Sequence, residues 1–207
     1  GVDYIGEPTP WHNQNDTPVK SSYFGIVDTA GIPKNDYYLY QSQWLALDQQ
    51  PMVHILPHWN WEIHKSYQQV VDKYGDIPVR VYSNAGFVEL FLNGKSQGRK
   101  TFQEKWTSDG RKYQEGEGSD QLYLEWRLPY QPGELHAVAY DHQGQLVAED
   151  RVVTAGKPAK IGLHAEKTKL EPDGQDLLYL YFDVLDKDGN WVPSASNQIH
   201  FKIEGPA

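Results

Sequence analysis

Val88-Glu89-Leu90-Phe91-Leu92-Asn93-Gly94-Lys95 is the stretch on which the fold turns. Side chains on a strand alternate faces, so Val88, Leu90 and Leu92 share one face and make it apolar. Asn93-Gly94 then supplies two residues that tolerate positive φ, which a two-residue hairpin of matching twist requires. The reading is a β-hairpin whose second arm runs from Lys95 to Phe102.

Working outward, the same grammar recurs. Met52 to Leu56 and Val79 to Tyr82 read as short strands upstream. Downstream come Leu122 to Trp126, the turn Pro132-Gly133, Leu135 to Tyr140, the turn His142-Gln143-Gly144, and Leu146 to Val153. Residues 103–120 are polar and glycine-containing and read as a loop. Short strands at regular turn spacing predict an immunoglobulin-like β-sandwich over 51–155, with Leu90, Leu92, Leu124, Trp126, Leu135 and Val138 as core candidates. Ala155-Gly156-Lys157-Pro158 reads as a linker. Beyond it, strands are expected at Ile161 to Leu163, Leu178 to Val184 and Ile199 to Ile203. A sandwich needs about seven strands and about 100 residues, so 156–207 reads as a second, incomplete immunoglobulin-like unit.

The first 50 residues differ. Val2 to Ile5 and Tyr23 to Asp28 are apolar segments separated by a polar, proline-rich stretch. Pro33 suits the start of a helix. Tyr37, Tyr40, Gln41 and Trp44 follow at helical spacing, which predicts a helix over 34–47. Tyr37, Tyr40 and Trp44 are the residues expected to dock it near Trp59 and Trp61. The opening without Met and the ending at Glu204-Gly205-Pro206-Ala207 both read as trimmed ends.

Composition narrows the function classes. A net charge of −9 over 207 residues, with no Lys/Arg cluster, argues against nucleic acid and anionic membranes. There is no Cys, hence no disulfide or thiolate chemistry, and no apolar run approaches a membrane span. The 7 Trp and 14 Tyr suit both sandwich cores and sugar-facing surfaces. No cofactor motif is apparent.

Four segments together resemble the C-terminal half of bacterial family 2 glycoside hydrolases of the β-galactosidase type. Gly1-Val2-Asp3-Tyr4-Ile5-Gly6-Glu7-Pro8 is similar to the eighth strand of that family's (β/α)8 barrel, with Val2 where Phe is usual and the preceding Trp-Thr pair absent. Ser21 to Lys34 with Tyr37 to Trp44 resembles the loop and helix that close the barrel. His58-Trp59-Asn60-Trp61, Val81-Tyr82-Ser83-Asn84, Val88 to Ser96, Pro132 to Leu135 and Thr154-Ala155-Gly156 resemble the β-sandwich that follows it. Asp186 to Pro193 resembles a further C-terminal sandwich. The resemblance implies a mainly β chain: a barrel remnant over 1–50, a sandwich over 51–155 and the second unit over 156–207. It also implies a parent enzyme that is a retaining O-glycosyl hydrolase working with two carboxylates about 5–5.5 Å apart. Both carboxylates would precede Gly1, so this chain would carry no catalytic residue.

Candidate site residues follow from the same resemblance and from local motifs. Asp3 and Glu7 would sit at the mouth of the barrel, where strand ends carry chemistry, either contacting substrate or bonding loop backbone. Trp11 and His12 lie in the next loop, either lining a sugar subsite or packing the loop down. His54, His58, Glu62 and His64 form a histidine-rich patch around two Trp residues. Residues four apart on a strand are about 13 Å apart, however, so packing is preferred there over a metal site. Asp186-Lys187-Asp188-Gly189-Asn190 starts like a calcium loop, but Val184 stands where another Asp or Asn is needed, so it reads as a turn.

Three roles are compatible with these features. The first is the accessory part of a β-glycosidase acting on β-galactosides or related oligo- and polysaccharides, periplasmic or secreted as its relatives would imply. It would partner the rest of the barrel and possess a capacity to form homo-oligomers. The second is a stand-alone immunoglobulin-like carbohydrate-binding or adhesion module, against which the barrel-like first residues argue. The third is a structural spacer, compatible with the first.

Overall fold

The structure is a computed structural model, and it describes residues 25–27, 31–61 and 76–204. The strand expected at Val2 to Ile5 lies outside these residues.

Among the described residues, one helix, α1 (Asn35–Trp44), precedes eight strands that form two sheets. The first sheet has the order β1-β2-β6: β1 (Val53–Leu56), β2 (Ile77–Ser83) and β6 (Leu124–Leu128). The second has the order β5-β4-β3-β7-β8: β3 (Phe87–Leu92), β4 (Lys95–Trp106), β5 (Lys112–Gly116), β7 (Glu134–Tyr140) and β8 (Leu146–Val153). Every pairing is antiparallel.

The hairpin forms as its sequence dictates. Asn93 and Gly94 have φ of 51° and 76°, the left-handed pair that a tight hairpin needs. Val88, Leu90 and Leu92 are buried on one face and pair across to Ala139, Ala137 and Leu135 of β7. From the opposing sheet, Ile77, Val79, Val81, Leu124, Trp126 and Leu128 complete a single core with Ile55, Trp59, Trp61 and Phe102. Each such side chain contributes roughly 1.5–3 kcal/mol by leaving water. Val138 is also buried, but it pairs with Glu89 and Glu149, so it lies on the opposite face of β7 from Leu135 and Ala137.

The structure corrects three expectations. Residues 103–120 are not a loop: β4 runs on to Trp106 and β5 returns from Lys112, pairing Phe102 with Gly116 and Trp106 with Lys112. This hairpin extends with polar residues on both faces, so the alternation that betrays a half-buried strand is missing. Ladder bonds and the cross-strand ion pairs Lys105–Glu115 (3.1 Å) and Lys112–Glu104 hold it instead. Second, α1 does not dock through Tyr40 and Trp44, and Trp44 is 73% exposed. The opposite face docks: Ser42 is buried, and Tyr38 stacks on His54 of β1 at 3.8 Å. Third, Ile199 to Ile203 forms no strand. After Val153, β9 (Lys160–Ala165) and β10 (Leu180–Leu185) form a separate two-stranded sheet.

Candidate functional site

The motifs that carried the resemblance are, in the structure, hydrogen-bond clasps at the joints of the molecule. Asn84 follows β2 and holds the exit of α1. Its Nδ2 donates to Leu45 O (3.1 Å) and Gln50 O (2.9 Å), while its Oδ1 accepts from Met52 N (3.0 Å). Ser83 Oγ donates to Met52 O at 2.7 Å. One buried turn thereby fixes the path from helix to first strand, and a buried backbone group left without such a partner would cost about 1–3 kcal/mol.

The second clasp joins His58-Trp59-Asn60-Trp61 to Thr154-Ala155-Gly156. Asn60 is buried and pairs reciprocally with Ala155: Nδ2 donates to Ala155 O (2.9 Å), and Oδ1 accepts from Ala155 N (3.1 Å). Its side-chain amide thus replaces a strand partner. Trp59 is fully buried, donates from Nε1 to Gln131 O (2.8 Å) and meets Tyr130 edge-on. Thr154 Oγ1 donates to Trp59 O at 2.5 Å and accepts from Gly133 N. Gly133 cannot be replaced here, because a Cβ would lie 1.8 Å from Asn93 Oδ1. That oxygen accepts from Glu134 N (2.9 Å), so the Asn93-Gly94 and Pro132-Gly133 turns interlock.

The third clasp ties the β9–β10 sheet to the linker. Asp186 is buried, and both its oxygens are engaged by N–H donors. Oδ1 accepts from Asp188 N and Asn190 N, and Oδ2 from Gly156 N (2.8 Å) and Asn190 Nδ2 (3.1 Å). These bonds hold its carboxyl far below the usual carboxylate range, the Gly156 N–H contributing most. The turn that resembled a calcium loop is therefore a backbone-capping turn. It sits beside a crevice of about 360 Å³ lined by His54, His58, Asn60, Asp150 and Trp191 among others.

The histidine patch is structural where it is described. His54 Nε2 lies 3.2 Å from Asn35 Oδ1, and Nδ1 lies 3.8 Å from Asp150 Oδ2. Burial lowers its pKa, and Asp150 partly opposes this. His58 Nδ1 accepts from Asn60 N at 3.2 Å, and the ring tilts against Trp61. Glu62 and His64 lie outside the described residues, as do Asp3, Glu7, Trp11 and His12. No cluster of three metal-ligating side chains occurs among the described residues.

The carboxylates show what the described surface can do. Glu89, Asp109, Glu149, Asp173, Asp176 and Asp186 are all held below their ordinary pKa. The main cause differs: a hydrogen bond from Ser96 for Glu89, from Arg111 for Asp109, from Arg151 for Glu149, from Lys167 for Asp176, and from backbone N–H groups for Asp173 and Asp186. A glycosidase acid needs the reverse, a carboxyl raised so that it keeps its proton. Sequence reasoning missed the cationic cluster of Arg80, Lys100 and Arg127 around Glu125, because these residues lie far apart along the chain and only the register of β2 and β6 brings Arg80 opposite Glu125.

Comparison with known proteins bears on what this framework belongs to. Residues 75–148 match the family described as "Domain of unknown function (DUF4982)", and residues 161–207 match "Glycoside hydrolase family 2 C-terminal domain 5". A "Beta-galactosidase BoGH2A" of Bacteroides ovatus is 42% identical over 205 residues, covering 99% of this chain and 20% of that protein. A "Beta-glucuronidase" of Formosa agariphila is 25% identical over 210 residues, covering 100% of this chain and 18% of that protein. Among solved structures, a β-glycosidase from Bacteroides vulgatus superposes with a TM-score of 0.64 at 35% identity, over 84% of this chain and 19% of that one. The chain spans about a fifth of the length of the curated relatives it matches. Its fold is mainly β, and by these matches the chain is C-terminal sequence of the family 2 glycoside hydrolases.

Proposed function

We infer that the chain serves as the C-terminal accessory part of a retaining β-glycosidase of the β-galactosidase type, whose acid/base and nucleophile lie on other residues of the parent enzyme. The observation that supports this most directly is the span of the match: 99% of this chain corresponds to only 20% of the Bacteroides ovatus β-galactosidase, and residues 161–207 match a family 2 C-terminal domain. The preference for a galactoside over a glucuronide rests on the higher identity to the Bacteroides ovatus β-galactosidase, 42% against 34% for a "Putative beta-glucuronidase" and 25% for a β-glucuronidase, both of Formosa agariphila. In this reading residues 1–50 end a catalytic barrel, with Asp3, Glu7, Trp11 and His12 close to its substrate. Residues 51–155 form an immunoglobulin-like sandwich, and 156–207 begin another. The clasps at Asn84 and Asn60 set the angle between barrel and sandwich. The parent enzyme is periplasmic or secreted and degrades oligo- or polysaccharides; no helix of the described residues is long and apolar enough to cross a membrane.

The test is direct. The purified 207-residue chain should not turn over aryl β-galactosides or aryl β-glucuronides, because neither the covalent step nor its hydrolysis has a catalyst. Turnover that survives purification and disappears in Glu7→Gln would place the site within this chain and overturn the reading.

A further inference from the structure

We propose that the groove between β4, β6 and the β5–β6 connection binds an anionic saccharide, whose carboxylate or sulfate is received by Arg80, Lys100 and Arg127. The groove has a volume of about 670 Å³ and opens along the free edge of the three-stranded sheet. Its cations outnumber its anions. Glu125 stands at the centre with Arg80 Nε at 3.1 Å from one oxygen and Arg127 at 2.9 Å from the other, so one carboxylate is shared by two guanidinium groups. Lys100 Nζ donates to the neutral main-chain oxygen of Glu125 (2.6 Å) and lies over the Trp126 ring, and neither contact cancels its charge. Arg99 also lines the groove, but its charge is met by Glu89 at 2.8 Å. Glu117 at the rim lowers the excess without removing it. This local positive field arises on a chain of net charge −9.

The shape favours an oxyanion over a bare ion. Arg80 uses only Nε in its bond to Glu125, and its guanidinium lies 4.7 Å over the Tyr123 ring. The ring and the Glu125 bond fix the plane of the fork, which leaves the Nη side for a planar or tetrahedral oxyanion. Thr101, Ser119 and Gln121 line the same groove with groups that can exchange hydrogen bonds with sugar hydroxyls. Gly116 also lines the groove and is closely packed, since a Cβ there would meet Tyr123 O at 3.0 Å. The site concerns binding and not turnover. It borrows from the proposed function only the expectation that the ligand is a carbohydrate.

Titration calorimetry on the 207-residue chain tests this with four probes: trigalacturonic acid, a sulfated galactan tetrasaccharide, neutral galactotriose and triglutamate. Binding of either or both acidic sugars, with galactotriose and triglutamate at least about tenfold weaker, is the expected result, and which acidic sugar binds tells carboxylate from sulfate. Added NaCl should weaken the interaction. Lys100→Gln and Arg127→Gln should each weaken it about tenfold, whereas Glu117→Gln at the exposed rim should tighten it. Melting curves accompany each variant, so that lost binding is counted only where the fold is kept. No binding of either acidic sugar, equal binding of galactotriose or triglutamate, or a Glu117→Gln variant that binds more weakly while folded would overturn the proposal. None of these outcomes touches the absence of turnover, so the two readings fail separately.

Discussion

The β3–β7 pair and the β9–β10 pair are written in nearly the same code and meet different fates. In the first, Val88, Leu90 and Leu92 face Ala139, Ala137 and Leu135, and all six are buried. In the second, Ile161, Leu163 and Ala165 face Val184, Phe182 and Leu180 in an equally regular apolar face. There Leu163 is 62% exposed, and Ile161, Leu180 and Phe182 are exposed with it. Alternation therefore tells which face of a strand is apolar. It does not tell whether a second layer lies on that face: Phe201 meets Phe182 edge-on at 5.5 Å, and Ile32 and Pro33 border β10 across an open crevice.

The largest effect should separate these two pairs outright. Leu90→Asp places an unpaired charge in the core, at a cost of several kcal/mol, and should abolish cooperative unfolding near the wild-type Tm. Phe182→Asp makes the same chemical change on the open face and should leave the main transition of the chain unmoved while raising solubility. Thermal melts followed by near-ultraviolet circular dichroism decide it. If both variants lose the main transition together, the β9–β10 face is covered in solution and the contrast fails.

A smaller effect probes the joint between the two regions. Asn60→Ala leaves the N–H and C=O of Ala155 without their partners in a buried setting, at a cost of about 1–3 kcal/mol. The sandwich core itself is untouched, so hydrogen exchange should accelerate first at residues 154–156. Acceleration spread evenly over β3 and β7 would mean that Asn60 supports the core and not the joint.

The difference between pattern and cover also explains how much was legible in the sequence. The hairpin at Asn93-Gly94 could be read because its local turn chemistry and its tertiary burial agree. The β4–β5 extension could not, since Gln103 to Lys105 and Lys112 to Glu115 are polar and their ladder depends on pairing partners that no local window reveals. The helix was legible but its docking face was not. The Tyr37, Tyr40 and Trp44 stripe is the more apolar one, yet Tyr38 and Ser42 face the sandwich, because His54 supplies a ring for Tyr38 to stack on and Asn84 supplies a clasp for the helix exit. Asp3, Glu7, Trp11 and His12 rested on resemblance alone. Arg80 had no sequence signal as a partner of the Glu125–Arg127 pair, since the register of β2 on β6 brings it there.

The smallest expected effect concerns that docking face and depends on pH. His54 is stacked against Tyr38 of α1, with Asn35 at its Nε2 and Asp150 beside its Nδ1. Burial lowers its pKa below the ordinary value, which the neighbouring Asp150 carboxylate only partly offsets. The docked state therefore prefers neutral imidazole. Above the unfolded value, about 6.5, histidine is neutral in both states and the docking is at full strength. As pH falls through 6.5 toward the lower folded value, only the undocked chain gains the proton, and stability is lost in that window. Carboxylates titrate lower and would blur a simple melt, so the measurement is a difference: Tm at pH 7.5 minus Tm at pH 5.5, in wild type and in His54→Gln. The wild type should show the larger drop, by less than the change caused by Asn60→Ala, with hydrogen exchange rising at residues 37–44 before β3 and β7 respond. An equal drop in both proteins would mean that His54 carries a proton in the docked state as readily as out of it, and that its stacking on Tyr38 does not depend on charge.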